Sequence, residues 1–144
     1  MKQRELKPTF TDEFPRPLGE GVLYVSITNA TAAHLCACGC GNEVITPLSP
    51  TDWCLIYDGD TVSLHPSIGN WAFACRSHYL ITRNEVHWAR RWSDDEIAHA
   101  RAADRVAKGR YYRELASGQQ PATRTSDRGL RTLLATLFKP KDRR

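Results

Sequence analysis

Five cysteines in a chain of 144 residues constrain its fold less by their number than by their placement. Three lie within five positions, in His34-Leu35-Cys36-Ala37-Cys38-Gly39-Cys40-Gly41, and a fourth opens Cys75-Arg76-Ser77-His78. A disulfide framework calls for paired cysteines and an oxidising compartment. Here the count is odd. Residues 1–14 also mix Lys2, Arg4, Glu5, Lys7, Asp12 and Glu13 without the apolar stretch of a secretory signal, so a cytoplasmic protein is expected. Soft ligands supplied as two groups far apart in sequence are the pattern of a structural Zn²⁺ site.

The expected ligand pool is therefore Cys36, Cys38, Cys40, Cys75 and His78, with Zn²⁺ as the metal. Cys75-x-x-His78 has an ordinary two-ligand spacing. A mononuclear site needs only two of the three upstream thiols. Cys38 and Cys40 are favoured because they sit in the glycine-rich part, which leaves Cys36 as the non-ligand. Gly39 and Gly41 allow backbone angles that other residues resist, so a turn there can aim its amides at sulfur. The competing reading is a set of reduced, buried thiols. Three within five residues, together with a distant Cys-x-x-His, favour metal.

A catalytic zinc would keep an open position beside a general base, and Glu43 or His34 are the candidates. The deaminase signature His-x-Glu with Pro-Cys-x-x-Cys is absent. A thiol hydrolase on Cys75 and His78 is a weaker reading, because both residues serve more economically as ligands. Cys54 is expected in the core, His34 and His65 at the surface. Trp53, Trp71, Trp88 and Trp92 are expected to supply core bulk.

Between Gly21 and Trp92, short runs of β-branched and aromatic residues alternate with turn residues, the texture of small sheets. Val22 to Ile27 reads as a strand. Trp53 to Tyr57 and Thr61 to Leu64 flank Asp58-Gly59 as a hairpin, and residues 79–82 and 86–88 flank Arg83-Asn84-Glu85 as a second. Ser93-Asp94-Asp95-Glu96 fits a capping box, with Trp92 and Ile97 at the staple positions. The alanines that follow predict helix to about Leu115, with Gly118 as its stop.

The net charge of +4 conceals an asymmetry. Residues 101–144 hold twelve Lys/Arg against four Asp/Glu, a net of +8, and residues 1–100 carry a net of −4. Within the basic end, Leu130, Leu133, Leu134, Leu137 and Phe138 share one helical face. A basic amphipathic segment of this kind suits a nucleic acid, an anionic surface or a partner's groove, or it covers its own domain. No stretch has the ~20 apolar residues of a membrane span.

In order along the chain, CACGCG (36–41), the Trp53 strand, VSLHPSIGNW (62–71), CRSHY (75–79) and Val86-His87-Trp88 form a series. It resembles a bacterial family of small Cys/His proteins classed as a domain of unknown function and encoded near ubiquitin-like conjugation genes. The resemblance spans residues 20–92. It implies that Cys36, Cys38, Cys40, Cys75 and His78 belong to the shared motif.

The expected fold class is α+β: a small β-rich zinc-binding domain over residues 20–117 that ends in a helix. An extended leader (1–19) precedes it and a basic linker with a short amphipathic helix (118–144) follows. The expected role is a non-catalytic, zinc-stabilised interaction or adaptor module with a protein partner in a ubiquitin-like conjugation or defence pathway. Two alternatives are a zinc hydrolase with an open metal site and nucleic-acid binding through the basic tail.

Overall fold

In the run Val22-Leu23-Tyr24-Val25, Leu23 and Val25 are fully buried in the main core, whereas Tyr24 faces a second, smaller cluster with Leu18 and Ala33. That period of two is what a strand covered on both faces requires. The computed structural model, which describes residues 1–121, builds on it a pair of four-stranded sheets.

The first sheet has the order β1 (Lys7–Phe10), β2 (Val22–Ser26), β3 (Thr31–Leu35) and β4 (Glu43–Pro47). The second runs β5 (Cys54–Tyr57), β6 (Val62–Gly69), β7 (His78–Thr82) and β8 (Glu85–Trp88), antiparallel throughout. Leu23, Val25, Ala32 and Val44 from the first sheet share one core with Val62, Leu64, Ile68, Tyr79 and Ile81 from the second. One helix, α1 (Asp94–Ala116), follows among the described residues. The architecture is thus β-rich α+β, as expected.

Both expected hairpins form, β5–β6 around Asp58-Gly59 and β7–β8 around Arg83-Asn84. Arg83 and Asn84 adopt positive φ (49° and 68°), the geometry that twists a two-residue turn to match its strands. The stretch expected as a leader carries β1, which pairs in parallel with β2. Just before it, Leu6 is fully buried and its amide donates to the Asn84 carbonyl. Residues 3–10 therefore connect the two sheets.

The helix begins as expected. Ser93 Oγ accepts from the Glu96 amide, and the Glu96 carboxylate accepts from the Ser93 amide. Of its residues only Ile97 is buried. Charged contacts hold the rest: Lys108 Nζ lies 2.7 Å from Asp52 and 3.1 Å from Asp104, and Arg76 pairs with Asp94. The amphipathic stripe from Leu130 to Phe138 and its flanking basic residues lie outside the described residues.

Two side-chain expectations are corrected. His34 is fully buried, with Nε2 2.8 Å from the Tyr79 hydroxyl, because alternation on β3 turns it inward opposite β7. The tryptophans rim the core: Trp53, Trp71 and Trp92 are half-buried and Trp88 is exposed. Aliphatic side chains and Tyr79 fill the centre.

Candidate active site and cysteine cluster

Beyond Leu35 the chain leaves β3 and folds tightly. The Gly39 amide donates to the Cys36 carbonyl, the Cys36 amide donates to the Asn42 carbonyl, and Gly39 and Gly41 take φ of +87° and +81°. This turn gathers all three upstream thiols and sets them against Cys75, in the loop between β6 and β7. The Sγ atoms of Cys36, Cys38, Cys40 and Cys75 lie within 4.8 Å of one another. Three of the separations are 3.4 Å (Cys36–Cys38), 3.8 Å (Cys40–Cys75) and 3.9 Å (Cys36–Cys75). Sulfurs at the corners of a tetrahedron with metal–sulfur bonds of ~2.3 Å stand about 3.8 Å apart, so the donor set and its spacing suit a tetrahedral thiolate-bound ion. Cys36, set aside as a non-ligand on sequence grounds, is one of the four, and His78 is not in the group. Cys54 stands apart, half-buried on β5.

The four thiols are electrostatically unequal. Burial pushes Cys36 up, and pushes Cys38 up to about 12. At exposed Cys40 slight desolvation acts in the same direction. Hydrogen bonds from Asn42 and the neighbouring thiols outweigh it and bring Cys40 down to about 7. Of these three thiols Cys40 is thus the one that ionises most readily.

His78, three residues after Cys75, stands directly opposite Gly69 in the β6–β7 ladder. Its ring meets Ser67, two residues before Gly69 and therefore its diagonal neighbour on the same face. His78 Nε2 is 2.9 Å from Ser67 Oγ, and His78 Nδ1 is 2.7 Å from the Arg90 carbonyl oxygen. A carbonyl only accepts, so Nδ1 carries the proton. In the neutral ring Nε2 is then the acceptor, and the Ser67 hydroxyl donates to it. A serine hydrogen-bonded to a histidine that a third group orients is the arrangement of an activated nucleophile. Here a backbone carbonyl stands where a carboxylate often serves.

Several elements hold that carbonyl and ring in place. Arg90 pairs with Glu96, the capping-box carboxylate of α1. Trp71 and Trp92 stack with centroids 5.5 Å apart and 21° between planes, and both rings pack on His78 at 5.0 and 5.1 Å. His78 is only 6% exposed, whereas Ser67 remains partly open to a cleft. On the other side, Ser77 joins the pair to the cysteines. Its hydroxyl is 3.1 Å from Cys36 Sγ, 3.5 Å from Cys75 Sγ and 2.9 Å from Asn70 Nδ2. Glu43, a candidate base, begins β4 of the other sheet, and its carboxylate is 3.7 Å from Arg16.

The family described as "Bacterial ubiquitination-like system serine protease (BubE)" matches residues 10–89, more than half of the chain. The chain belongs to this family. The BubE match spans the cysteine turn, Ser67, Cys75 and His78, and stops one residue before Arg90. It also agrees with the ubiquitin-like setting implied by the sequence resemblance. No curated protein and no solved structure is detectably similar to the chain.

Nothing in the sequence alone singles out Ser67, although it lies within the shared motif VSLHPSIGNW. A serine and a histidine eleven residues apart become partners only through the β6–β7 register, including its irregularity between Leu64 and Ile68. The sequence signal for it is a serine two residues before a glycine in a strand that leads to the Cys-x-x-His turn.

Proposed function

We propose that this protein is a serine hydrolase that cleaves peptide bonds in a bacterial ubiquitination-like system, with Ser67 as nucleophile and His78 as general base. The observation that carries the reading is the continuous hydrogen-bonded chain from Ser67 Oγ through His78 to the Arg90 carbonyl. In the first step Ser67 Oγ attacks the substrate carbonyl carbon and its proton passes to His78 Nε2. The Arg90 carbonyl keeps the doubly protonated ring oriented through Nδ1–H. His78 then protonates the departing amine, and an acyl-serine remains. Water, deprotonated by the same nitrogen, releases the acid and restores Ser67. A catalytic role replaces the non-catalytic adaptor as the reading that the geometry favours.

The cysteines have a separate task. Cys36, Cys38, Cys40 and Cys75 would hold a Zn²⁺ ion, and four thiolates close its coordination shell, which suits a structural site. The open-site zinc hydrolase gains no support, because its proposed bases, buried His34 and ion-paired Glu43, are otherwise engaged. Both nitrogens of His78 have partners away from the sulfurs.

The test is covalent labelling with a fluorophosphonate probe, read by intact mass. Wild type is expected to gain one adduct, on Ser67, while Ser67→Ala and His78→Ala stay unlabelled with unchanged circular dichroism. Equal labelling of wild type and Ser67→Ala would remove Ser67 from the mechanism.

A further inference from the structure

β6 is covered unevenly along its length. On one side β7 accompanies it as far as Gly69, opposite His78. On the other, β5 pairs with it only from Val62 to His65, the partner of Cys54. Upstream of Cys54 the chain bends away: Trp53 bridges to Leu48, and its amide donates to the Pro47 carbonyl. Among the described residues no strand therefore lies along this flank of residues 66–69.

The ladder reveals which main-chain groups face that open flank. The Asn70 amide donates to the Ser77 carbonyl, so Asn70 turns its main-chain groups toward the β7 side. The His78 carbonyl accepts from the Ala89 amide on the opposite side, which makes Gly69–His78 a non-hydrogen-bonded pair. In an antiparallel strand successive residues direct N–H and C=O to alternate sides. Gly69 thus presents both groups outward, two residues from the nucleophile. A Cβ on Gly69 would come within 2.4 Å of the Trp71 ring, so the absence of a side chain lets that ring lie across the strand. Beside this flank opens a cleft of about 260 Å³, whose lining includes Ser67, Gly69, Trp53, Trp71 and Trp92, with Lys108 on α1.

We propose that the substrate enters as an extended peptide that adds a short strand to the open flank of β6, its main chain paired with Gly69 and its scissile carbonyl over Ser67. This rests on the hydrolase reading above and names what that site binds. An unpaired strand edge recognises peptide backbone through N–H and C=O, whatever the side chains, and leaves specificity to the pockets around it. The substrate is then a flexible tail or loop, because a residue inside a helix or sheet has its backbone groups already engaged.

The experiment compares 4-nitrophenyl acetate, which reaches Ser67 without a peptide, with the 4-nitrophenyl ester of N-acetyl-trialanine. In three further esters one alanine at a time is replaced by lactate, which exchanges a single N–H for oxygen and keeps the methyl group. The trialanyl ester is expected to exceed the acetate at least tenfold in kcat/KM, after correction for uncatalysed hydrolysis. Lactate at one position should remove about tenfold, the worth of one hydrogen bond, and at the others less than about twofold. If wild type hydrolyses the acetate, Ser67→Ala does not, and the trialanyl ester shows no advantage, strand docking is wrong while the hydrolase stands. The same holds if no lactate ester differs from its parent. Activity per chain that falls with protein concentration would assign the flank to a second copy and also overturn the proposal. Equal rates for wild type and Ser67→Ala on the acetate would overturn the hydrolase reading and this inference with it.

Discussion

His34 shows how a single residue's surroundings become a measurable pH response. Burial holds its imidazole down to about 4, against an ordinary 6.5, so the folded chain keeps it neutral. Between those two values the unfolded chain binds a proton that the native chain does not. The stabilisation is therefore complete above about pH 6.5 and is lost as pH falls toward 4, with a span of about 3 kcal/mol. Urea denaturation at pH 7 and pH 4.5 is expected to show a larger drop for wild type than for His34→Leu, and an equal drop would contradict the buried neutral ring. The sequence placed His34 at the surface because nothing local marks its partner: Tyr79 is 45 residues away. The cysteines were easier to read, since soft-donor spacing carries its own chemistry. Ser67 was not, since serine is common and only the His78 ring makes it distinct.

At the level of elements, the helix start was the most legible feature, and its function the least. Ser93, Glu96, Trp92 and Ile97 announce a cap through purely local spacing, and the structure forms it. What the spacing could not say is that Glu96 also grips Arg90, whose carbonyl orients His78. The cap is thus coupled to the proposed Ser67–His78 pair through Arg90. Ser93→Ala is expected to lower stability by about 1 kcal/mol in urea denaturation, the usual value of such a cap. It should also reduce kcat severalfold with little change in KM, because it loosens the group behind the base and leaves the β6 flank untouched. An unchanged kcat at the reduced stability would separate cap from catalysis. The strands β1, β3 and β4 were harder to foresee. Thr31-Ala32-Ala33 has small residues on both faces, and Lys7–Phe10 pairs in parallel with a strand it precedes by eleven residues.

Across the whole molecule, the cysteine cluster joins what the two sheets keep separate. Cys36, Cys38 and Cys40 follow β3 in the first sheet, and Cys75 precedes β7 in the second. An ion held by all four would close a loop of about 36–40 residues. By the chain-entropy estimate for a cross-link, that is worth about 4 kcal/mol before any gain from ligation itself. The same closure would fix the turn of residues 70–77, through Ser77 and Asn70, and His78 is the next residue along. Loss of the ion should therefore silence Ser67 chemistry as well as weaken the fold. Treatment with 1,10-phenanthroline at pH 7 is expected to release about one equivalent of zinc per chain, measured by a colorimetric indicator. Denaturation stability and fluorophosphonate labelling should fall together, and added Zn²⁺ should restore both. Cys75→Ser should match the stripped protein, and Cys54→Ser should match wild type, because Cys54 lies outside the four-sulfur group. If metal-free protein labels at the wild-type rate, the turn delivers His78 without help from the cluster. In that case the cysteines stabilise the union of the sheets and nothing more.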